Sequence, residues 1–514
     1  MRPYWSPLLN VALLALLLCG ARQVAASTAP VLDFEDTVYV GTLSDDRKVA
    51  RFLGVPFAQP PTGDLRWQAP QPFEQAGGTV EARTFAPACM QGSHIVDWYR
   101  DVASSFGADP AVIEAPGFSE DCLYLNIWTP AAAETGTLPV LVYIHGGSNK
   151  GGWPYEPNYI GENLARHGVV VVTIAYRLGV FGFFAHPGLE EANFGLLDQM
   201  AAVRWVGDHI AAAGGDPANV TVMGESAGAN NITHLLASPL ANGLFSRAIH
   251  QSAGWALLGR TTHEQHAARG MQLQQNLTGS RGSIQQLRQL PAAELLAGAE
   301  EVYAGHFFDP VIDGHSLTRP VAEVLSSGSF PPIDLLIGSN ADEWLMYLDR
   351  DQSPEQWIQD ELTPAQGEAI RPIVRSLGGG LRALDRLVTA RQFVCPSMSL
   401  AASIATHGGR SWFYYFARQR EGQRAATMGA YHGAELPYVF DTHDSWLPTD
   451  AVDKNLTDAM MSYWVNFARS GNPNGPGLPP WPPFDRNKGN VLRLDARISA
   501  EAHVSLPLCD ILLP

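Results

Sequence analysis

Apolar runs and helix-like patterns alternate along most of the chain. The strand candidates, the earliest three of them apolar on both faces, are residues 139–144, 168–174, 220–223, 247–250, 334–338 and 411–417. Helical spacing runs from Leu196 to Ile210 and ends at a Gly-Gly-Asp-Pro sequence. This pattern predicts an α/β protein with a mainly parallel central sheet covered by helices on both faces.

The same pattern contains no sign of a domain boundary. Residues 357–408 are mainly helical in spacing, interrupted by three glycines at 378–380. A run rich in proline and glycine from Gly471 to Pro483 predicts a rigid loop, because patterned sequence resumes at Val491. No internal repeat or low-complexity linker is visible. We therefore predict a single domain over residues 27–514.

The N-terminal 26 residues have the pattern of a cleavable signal peptide. Arg2 provides a basic start, an apolar run extends from Leu8 to Cys19, and small residues end at Ala26. The apolar run is too short to cross a bilayer as a helix, and no other run of about 18 apolar residues follows. We expect cleavage near Ala26 and a secreted or periplasmic protein without stable membrane insertion.

Composition narrows the class of protein further. Hydrophobic residues make up 46% and charged residues 17% of the 514, which is enough apolar material for a large core and excludes a disordered chain. The 51 acidic residues outnumber the 34 basic ones, for a net charge of −17. Such an acidic surface repels a phosphate backbone, so a nucleic-acid partner is not expected.

Removing the signal peptide leaves four cysteines, Cys89, Cys122, Cys395 and Cys509. An even number in an oxidising compartment predicts two disulfides, although four cysteines allow three pairings and buried thiols are the alternative. No Cys-x-x-Cys or His-x-x-x-His spacing is present, so no structural metal is expected.

A candidate nucleophile follows the third apolar strand. The sequence Gly224-Glu225-Ser226-Ala227-Gly228 matches the G-x-S-x-G nucleophile elbow, in which a sharp strand-to-helix turn exposes the serine hydroxyl. The motif alone is weak in a chain with 49 glycines, and an ordinary glycine turn is the alternative. The preceding apolar strand and the following helical pattern favour the elbow, and with it Ser226 as nucleophile.

A serine nucleophile needs a base and an acid that orients the base. In this class of fold the chain order is serine, acidic residue, histidine. Ten histidines follow Ser226, and spacing alone does not select among them. His432 lies in a glycine-flanked loop after a strand candidate, as a catalytic histidine should, whereas the others suit surface or capping positions.

An oxyanion-stabilising loop is also present upstream. His145-Gly146-Gly147-Ser148 directly follows a strand candidate, as does the glycine loop of esterases, whose backbone N–H groups stabilise a developing negative charge. A simple glycine turn is the alternative.

At this point the sequence resembles the type B carboxylesterase family, which includes cholinesterases and bile-salt-activated lipases. The resemblance covers nearly all of the chain after residue 26. Besides the elbow it rests on the sequences at residues 60–67, 119–126, 194–199, 214–217, 338–343, 432–437 and 471–475.

The resemblance implies an α/β-hydrolase fold and a catalytic triad. It assigns Ser226 as nucleophile, Glu343 as orienting acid and His432 as general base. No metal or organic cofactor is implied, and the expected partner is a small-molecule ester.

The resemblance also implies an oxyanion hole and two cysteine pairs. Its N–H donors would belong to Gly147, Ser148 and Ala227. Cys89 would pair with Cys122, and Cys395 with Cys509.

Three positions depart from the family pattern. Ser148 replaces the third glycine found in many members, and Trp344 follows the acid where glycine is usual. Trp98 lies too early in its loop to match the tryptophan of choline-binding members, so choline specificity does not carry over.

Glycosylation sequons bear on the source of the protein. Asn219 and Asn231 begin two of them and flank the elbow, where a glycan would obstruct the fold. We interpret them as incidental and expect a secreted bacterial member of the family.

The hypothesis at this point is hydrolysis of carboxylic esters through an acyl-enzyme. The alternatives are a lipase acting on lipid esters, or a non-catalytic binding protein on the same fold. Acyl and alcohol preference and the oligomeric state do not follow from these patterns. Candidates for lining an acyl pocket are the aromatics Trp255, Phe307, Phe308, Trp344 and Tyr347.

Overall fold

The structure is a computed structural model that describes residue 1 and residues 29–34, 37–74, 77–259, 261–422, 424–444, 446–503 and 505–512. The predicted signal peptide, residues 1–26, lies outside the described residues except for Met1. The strands are β1 Val31–Phe34, β2 Thr37–Val40, β3 Thr42–Leu43, β4 Val49–Pro56, β5 Gly78–Glu81, β6 Ala88–Cys89, β7 Phe118–Ser119, β8 Tyr124–Pro130, β9 Leu138–Ile144, β10 Val170–Ile174, β11 Gly215–Glu225, β12 Arg247–Gln251, β13 Asp334–Asn340, β14 Ser411–Phe416, β15 Asn490–Leu494 and β16 Ser499–Ala502.

Helices fill the segments between the strands. The α-helices are α1 His94–Ser105, α2 Glu162–Ala165, α3 Gly179–Gly182, α4 Phe194–His209, α5 Ala227–Ala237, α6 His263–Thr278, α7 Ile284–Arg288, α8 Ala292–Val302, α9 Val321–Ser327, α10 Pro354–Glu361, α11 Pro364–Ser376, α12 Gly380–Thr389, α13 Cys395–Thr406, α14 Ala425–Met428, α15 Leu436–Phe440, α16 Ala451–Ser470 and α17 Leu506–Leu512. Short 3₁₀ helices span Gly63–Leu65, Pro110–Val112, Ile210–Ala213, Pro239–Ala241, Trp255–Leu257 and Leu345–Tyr347, and a π-helix spans Ala390–Val394.

The central sheet contains eleven strands in the order β16-β15-β14-β13-β12-β11-β9-β10-β8-β4-β3. The seven strands from β15 to β10 are parallel, and antiparallel strands flank them at both edges. This confirms the predicted α/β architecture with a mainly parallel sheet. The strands β1, β2 and β5 form a separate small sheet, and β6 pairs with β7.

Burial explains why the central strands have continuous apolar sequences. Every residue of β10 and of β14 is buried, because helices cover both faces of the sheet. Helix α5 packs against β11 and β12, and all of its eleven residues are buried. A helix this enclosed needs no amphipathic pattern.

The region predicted to be helical, residues 357–408, contains α10 to α13 and the π-helix. Gly380 begins α12 after the predicted break, and the preceding glycines at 378 and 379 have positive φ angles. The Pro/Gly-rich run from Gly471 to Pro483 contains no helix or strand among its described residues, as predicted.

Two disulfides join distant parts of the chain. Cys89 is bonded to Cys122, and Cys395 is bonded to Cys509, so of the three possible pairings the structure has the one that the resemblance implies. The second bond attaches α17 to the start of α13. Within the described residues, no helix combines the length and the apolarity that a membrane span requires.

Candidate active site

The backbone at Ser226 has the conformation of a nucleophile elbow. Strand β11 ends at Glu225, α5 begins at Ala227, and Ser226 between them has φ +54° and ψ −124°. An L-residue rarely adopts this conformation, so the surrounding structure must hold it there. The Ser226 N–H donates to the Gln251 carbonyl at 2.9 Å, and its carbonyl accepts from the Asn230 N–H at 2.9 Å.

Steric contacts explain the two elbow glycines. A Cβ on Gly228 would lie 2.0 Å from the Ile144 carbonyl oxygen at the end of β9. A Cβ on Gly224 would lie 2.6 Å from the Gly228 carbonyl carbon. The turn is therefore tight enough that only glycine fits at either position.

The structure brings Ser226, His432 and Glu343 together from the carboxyl ends of separate strands. The Nε2 atom of His432 lies 2.8 Å from Ser226 Oγ, and its Nδ1 lies 2.7 Å from Glu343 Oε2. Ser226 follows β11 and Glu343 follows β13, while His432 lies on the loop beyond β14. Carboxyl ends of parallel strands share one edge of a sheet, which is how residues more than 80 positions apart meet.

Glu343 is fully buried and held from both sides. Its second oxygen, Oε1, accepts from the Asn340 N–H at 2.7 Å. The next residue, Trp344, donates its N–H to Oδ1 of Asp385 on α12 at 2.9 Å. Asp385 thereby ties the loop that carries Glu343 to a neighbouring helix, a contact that no local sequence pattern indicates.

The glycine loop lies against the nucleophile. A Cβ on Gly146 would lie 3.0 Å from Ser226 Cβ, and Gly147 and Ser148 have φ angles of +91° and +57°. In the described part of the chain, neither the Gly147 nor the Ser148 N–H donates a hydrogen bond. Ala227 is the first residue of α5, where an N–H has no acceptor within the helix.

A cavity of about 320 Å³ opens onto Ser226 and His432. Four of the five aromatics predicted as pocket candidates line it, namely Trp255, Phe307, Trp344 and Tyr347. Phe308 does not line this cavity; it is buried and stacks on Tyr303. Trp98 also lines the cavity, and its indole N–H donates to the Tyr347 hydroxyl at 2.7 Å.

Glu225 is a site residue that the sequence analysis did not single out. Its Oε1 lies 3.3 Å from His432 Nε2, on the same side of the ring as Ser226. Burial, the largest effect, raises the pKa of Glu225 well above its usual value, and the nearby His432 opposes that rise. The elbow motif contains Glu225 at a variable position, so the motif carried no signal for this contact.

Three carboxyl groups raise the pKa of His432 above its usual value. Burial of the imidazole by itself lowers this pKa, but the charge of Glu225, the hydrogen bond and charge of Glu343, and the charge of Glu435 outweigh it. Glu435 is itself buried and accepts from Gln251 Nε2 at 2.8 Å and from Asn340 Nδ2 at 2.6 Å. The site thus favours a positively charged imidazole.

Comparison with known proteins identifies the family of this chain. A model of the carboxylesterase family matches residues 38–372 and 378–511. The chain belongs to the carboxylesterase family. Its relatives include named esterases and carboxylesterases, and the chain is accordingly a hydrolase that acts on carboxylic ester bonds.

Carboxylesterases from several sources are similar over most of their length. The fumonisin B1 esterase of Sphingopyxis macrogoltabida is 34% identical over 493 residues, covering 88% of this chain and 84% of that protein. The para-nitrobenzyl esterase of Bacillus subtilis (strain 168) is 34% identical over 473 residues, covering 88% and 92%. The liver carboxylesterase of Sus scrofa is 35% identical over 503 residues, covering 88% and 86%.

A solved structure confirms the α/β-hydrolase fold of this carboxylesterase. The structure of a PNB esterase superimposes with a TM-score of 0.82 at 30% sequence identity. The match covers 95% of this chain and 100% of the PNB esterase chain.

Proposed function

We propose that Ser226 is the nucleophile of a two-step acyl transfer. His432 removes the hydroxyl proton as Ser226 Oγ attacks the ester carbonyl carbon, and Glu343 holds the imidazole and stabilises its positive form. The 2.8 Å and 2.7 Å contacts along the Ser226–His432–Glu343 chain support these roles, because each is within hydrogen-bond reach.

We further propose that the N–H groups of Gly147, Ser148 and Ala227 stabilise the oxyanion. The positive φ angles of Gly147 and Ser148 and the helix N-terminus at Ala227 support this assignment, because such N–H groups lack acceptors in the protein. Ser148 is exposed and lines the cavity, and the proposed donor is its backbone N–H, which a serine provides as a glycine does.

The two steps use the same groups in turn. The tetrahedral intermediate collapses as His432 returns its proton to the leaving alcohol oxygen, which leaves an acyl group on Ser226 Oγ. Water then loses a proton to His432 and attacks the acyl carbon. Breakdown of the second intermediate releases the carboxylic acid and restores the Ser226 hydroxyl.

Hydrolysis of p-nitrophenyl esters from acetate to palmitate tests the assignment. We expect Ser226→Ala to lower kcat by at least about 10,000-fold, because the other groups then have no nucleophile to activate. The matched control is Ser462→Ala on α16, where the hydroxyl donates to the Asp458 carbonyl within the helix and does not line the cavity. Full activity in Ser226→Ala would contradict the mechanism.

Chain-length preference in the same assay separates esterase from lipase. A maximum at short chains would agree with the cavity of about 320 Å³, which is at the small end for ligand pockets. A maximum at long chains that appears only above the micelle threshold would instead identify a lipase.

We also propose that the protein is exported and cleaved near Ala26, to leave one domain over residues 27–514. The basic start and apolar run of the first 26 residues support export, as do two disulfides, which persist in oxidising compartments. Mass spectrometry of the protein recovered from the medium or periplasm tests this, and an intact N-terminus on the exported protein would contradict it.

A further inference from the structure

A second cavity adjoins the active-site cavity. It encloses about 150 Å³, and His94 lines both cavities. Its other lining residues include Lys150, Glu300, Tyr303 and Phe308. His94 therefore borders both the space in front of Ser226 and this second space.

Lys150 reaches this space from the glycine loop. Its backbone N–H donates to the Gly147 carbonyl at 2.9 Å, so Gly147 and Lys150 are the first and last residues of one tight turn. The Cα atoms across such a turn are within about 7 Å. The ammonium group is therefore attached to the same small loop that carries the proposed oxyanion donors.

The Lys150 ammonium is half-buried and lacks a carboxylate partner. It lies over the ring of buried Phe308, 5.9 Å from the ring centroid. Among the described residues no carboxylate oxygen lies within 4.0 Å of Lys150 Nζ, the distance limit for an ion pair. Lys454 and Lys488, whose side chains are 61% and 77% exposed, each have an aspartate partner. Lys48 is unpaired as well but exposed, so of the two unpaired ammonium groups only that of Lys150 is half-buried without a compensating charge.

The other charges near the reaction lie elsewhere. Glu156, Glu225 and Glu435 are buried around His432 and Tyr99, and none of them lines the cavity of Lys150. Glu300 does line it, but its side chain is exposed and makes no ion pair with Lys150. The lining thus contains one ammonium and one carboxylate, and only the ammonium is half-buried.

We propose that Lys150 binds an ionised carboxylate carried by the ester substrate, so that the enzyme prefers esters with a second acid group over neutral esters. This rests on the proposed ester hydrolysis at Ser226. A single ammonium in a space of about 150 Å³, with no arginine in its lining, suits a monoanionic carboxylate. Because the cavity adjoins the site, the carboxylate binds while the ester group lies at Ser226.

Matched ester pairs test the proposal. For an acyl-side charge, mono-p-nitrophenyl esters of adipic, pimelic and suberic acid are compared with the same esters capped as methyl esters. For an alcohol-side charge, 4-acetoxybenzoate is compared with its methyl ester. The quantity measured is the ratio of kcat/KM for the charged substrate to kcat/KM for the capped one, in which a general loss of activity cancels.

We expect Lys150→Met to lower this ratio about 10-fold for at least one pair, the effect of losing one charge contact in a partly buried site. Lys150→Arg should keep the preference, and added salt should weaken it in the wild type. The matched control is Lys454→Met, the same change at an exposed lysine paired with Asp444. Its ratios should equal those of the wild type.

Equal ratios in the wild type and Lys150→Met for every pair would overturn the proposal and leave Lys150 as a residue that only packs on Phe308. Failure of the proposed function would give a different result in the same assays. In that case the wild type would hydrolyse neither the charged nor the capped esters, or Ser226→Ala would hydrolyse both normally.

Discussion

At the scale of single residues, the site concentrates negative charge around one imidazole. Glu343 and Glu225 contact opposite nitrogens of His432, at 2.7 Å and 3.3 Å. The first contact orients the base, while the second lies beside the Ser226 hydroxyl. In the acyl-transfer step His432 becomes positive, and this charge favours the ionised form of Glu225 against the effect of burial. Both carboxyl groups then stabilise the charge on the imidazole.

Glu225→Gln removes one of these charges while nearly preserving side-chain volume. The base must be neutral to accept the Ser226 proton, so kcat/KM falls as the pH drops through the pKa of His432. Because Glu225 raises that pKa, we expect the variant to lose activity about one unit lower in pH than the wild type. The measurement is kcat/KM for a neutral p-nitrophenyl ester from pH 5 to pH 10.

Glu355→Gln serves as the control, since Glu355 lies on α10 and pairs with Arg371 at the surface. Its pH profile should match that of the wild type. If the acidic limb of Glu225→Gln does not move, or moves to higher pH, Glu225 does not act on His432 as described.

Sequence patterns predict such residues unevenly. The elbow and the family motifs single out Ser226, Glu343 and His432, because their chemistry needs particular residue types at particular places. Glu225, Glu156 and Asp385 had no such signal. Each contacts a group far along the chain, such as the Tyr99 hydroxyl that donates to Glu156 at 2.7 Å.

At the scale of elements, apolar runs located the central strands but not all of their ends. The third predicted strand, residues 220–223, lies within the buried stretch 220–225 of β11, which extends back to Gly215. Gly215 pairs with Leu138, and the register then shifts before Val220 pairs with Val140. That extension is polar and partly exposed, so it has no apolar pattern to reveal it.

The buried carboxyl group of Asp385 on helix α12 binds the loop that carries Glu343. Asp385 accepts from the Trp344 N–H at 2.9 Å and from the Thr389 hydroxyl at 3.2 Å, both at Oδ1. Burial, and next the charge of Asp342, raise the pKa of Asp385 to about 7. The folded protein therefore holds a proton here that the unfolded chain loses near pH 4.

Asp385→Asn keeps the accepting oxygen but no longer titrates. Wild-type stability falls as the pH rises from about 4 to 7, because the unfolded chain releases this proton first. Relative to the wild type, the variant should therefore gain about 2–3 kcal/mol in unfolding free energy between pH 5 and pH 8. Urea unfolding of both proteins at the two pH values measures this gain.

The matched change at a solvent-exposed aspartate is Asp360→Asn on α10. Its difference from the wild type should be the same at pH 5 and pH 8. An equally flat difference for Asp385→Asn would show that Asp385 is ionised in the folded protein throughout this range.

At the scale of the whole molecule, the two disulfides constrain very different lengths of chain. Cys89–Cys122 spans 33 positions and closes the loop that carries α1, including the cavity residues His94 and Trp98. Cys395–Cys509 spans 114 positions and attaches α17 to α13. From residue types alone all three pairings stayed open, because pairing depends on how distant segments pack.

The longer loop should contribute more to stability. In the chain-entropy model a cross-link restricts the unfolded chain more as its loop lengthens, so the bond spanning 114 positions should exceed the one spanning 33 by about 1 kcal/mol. We expect Cys395→Ala/Cys509→Ala to lose about 5 kcal/mol of unfolding free energy, and Cys89→Ala/Cys122→Ala about 4 kcal/mol. Urea unfolding of the two double variants and the wild type at one pH measures both losses.

The double variants leave no unpaired thiol from the broken bond, and each serves as the control for the other. A larger loss from the shorter loop would mean that packing around α1, rather than restriction of the unfolded chain, dominates the contribution of these bonds.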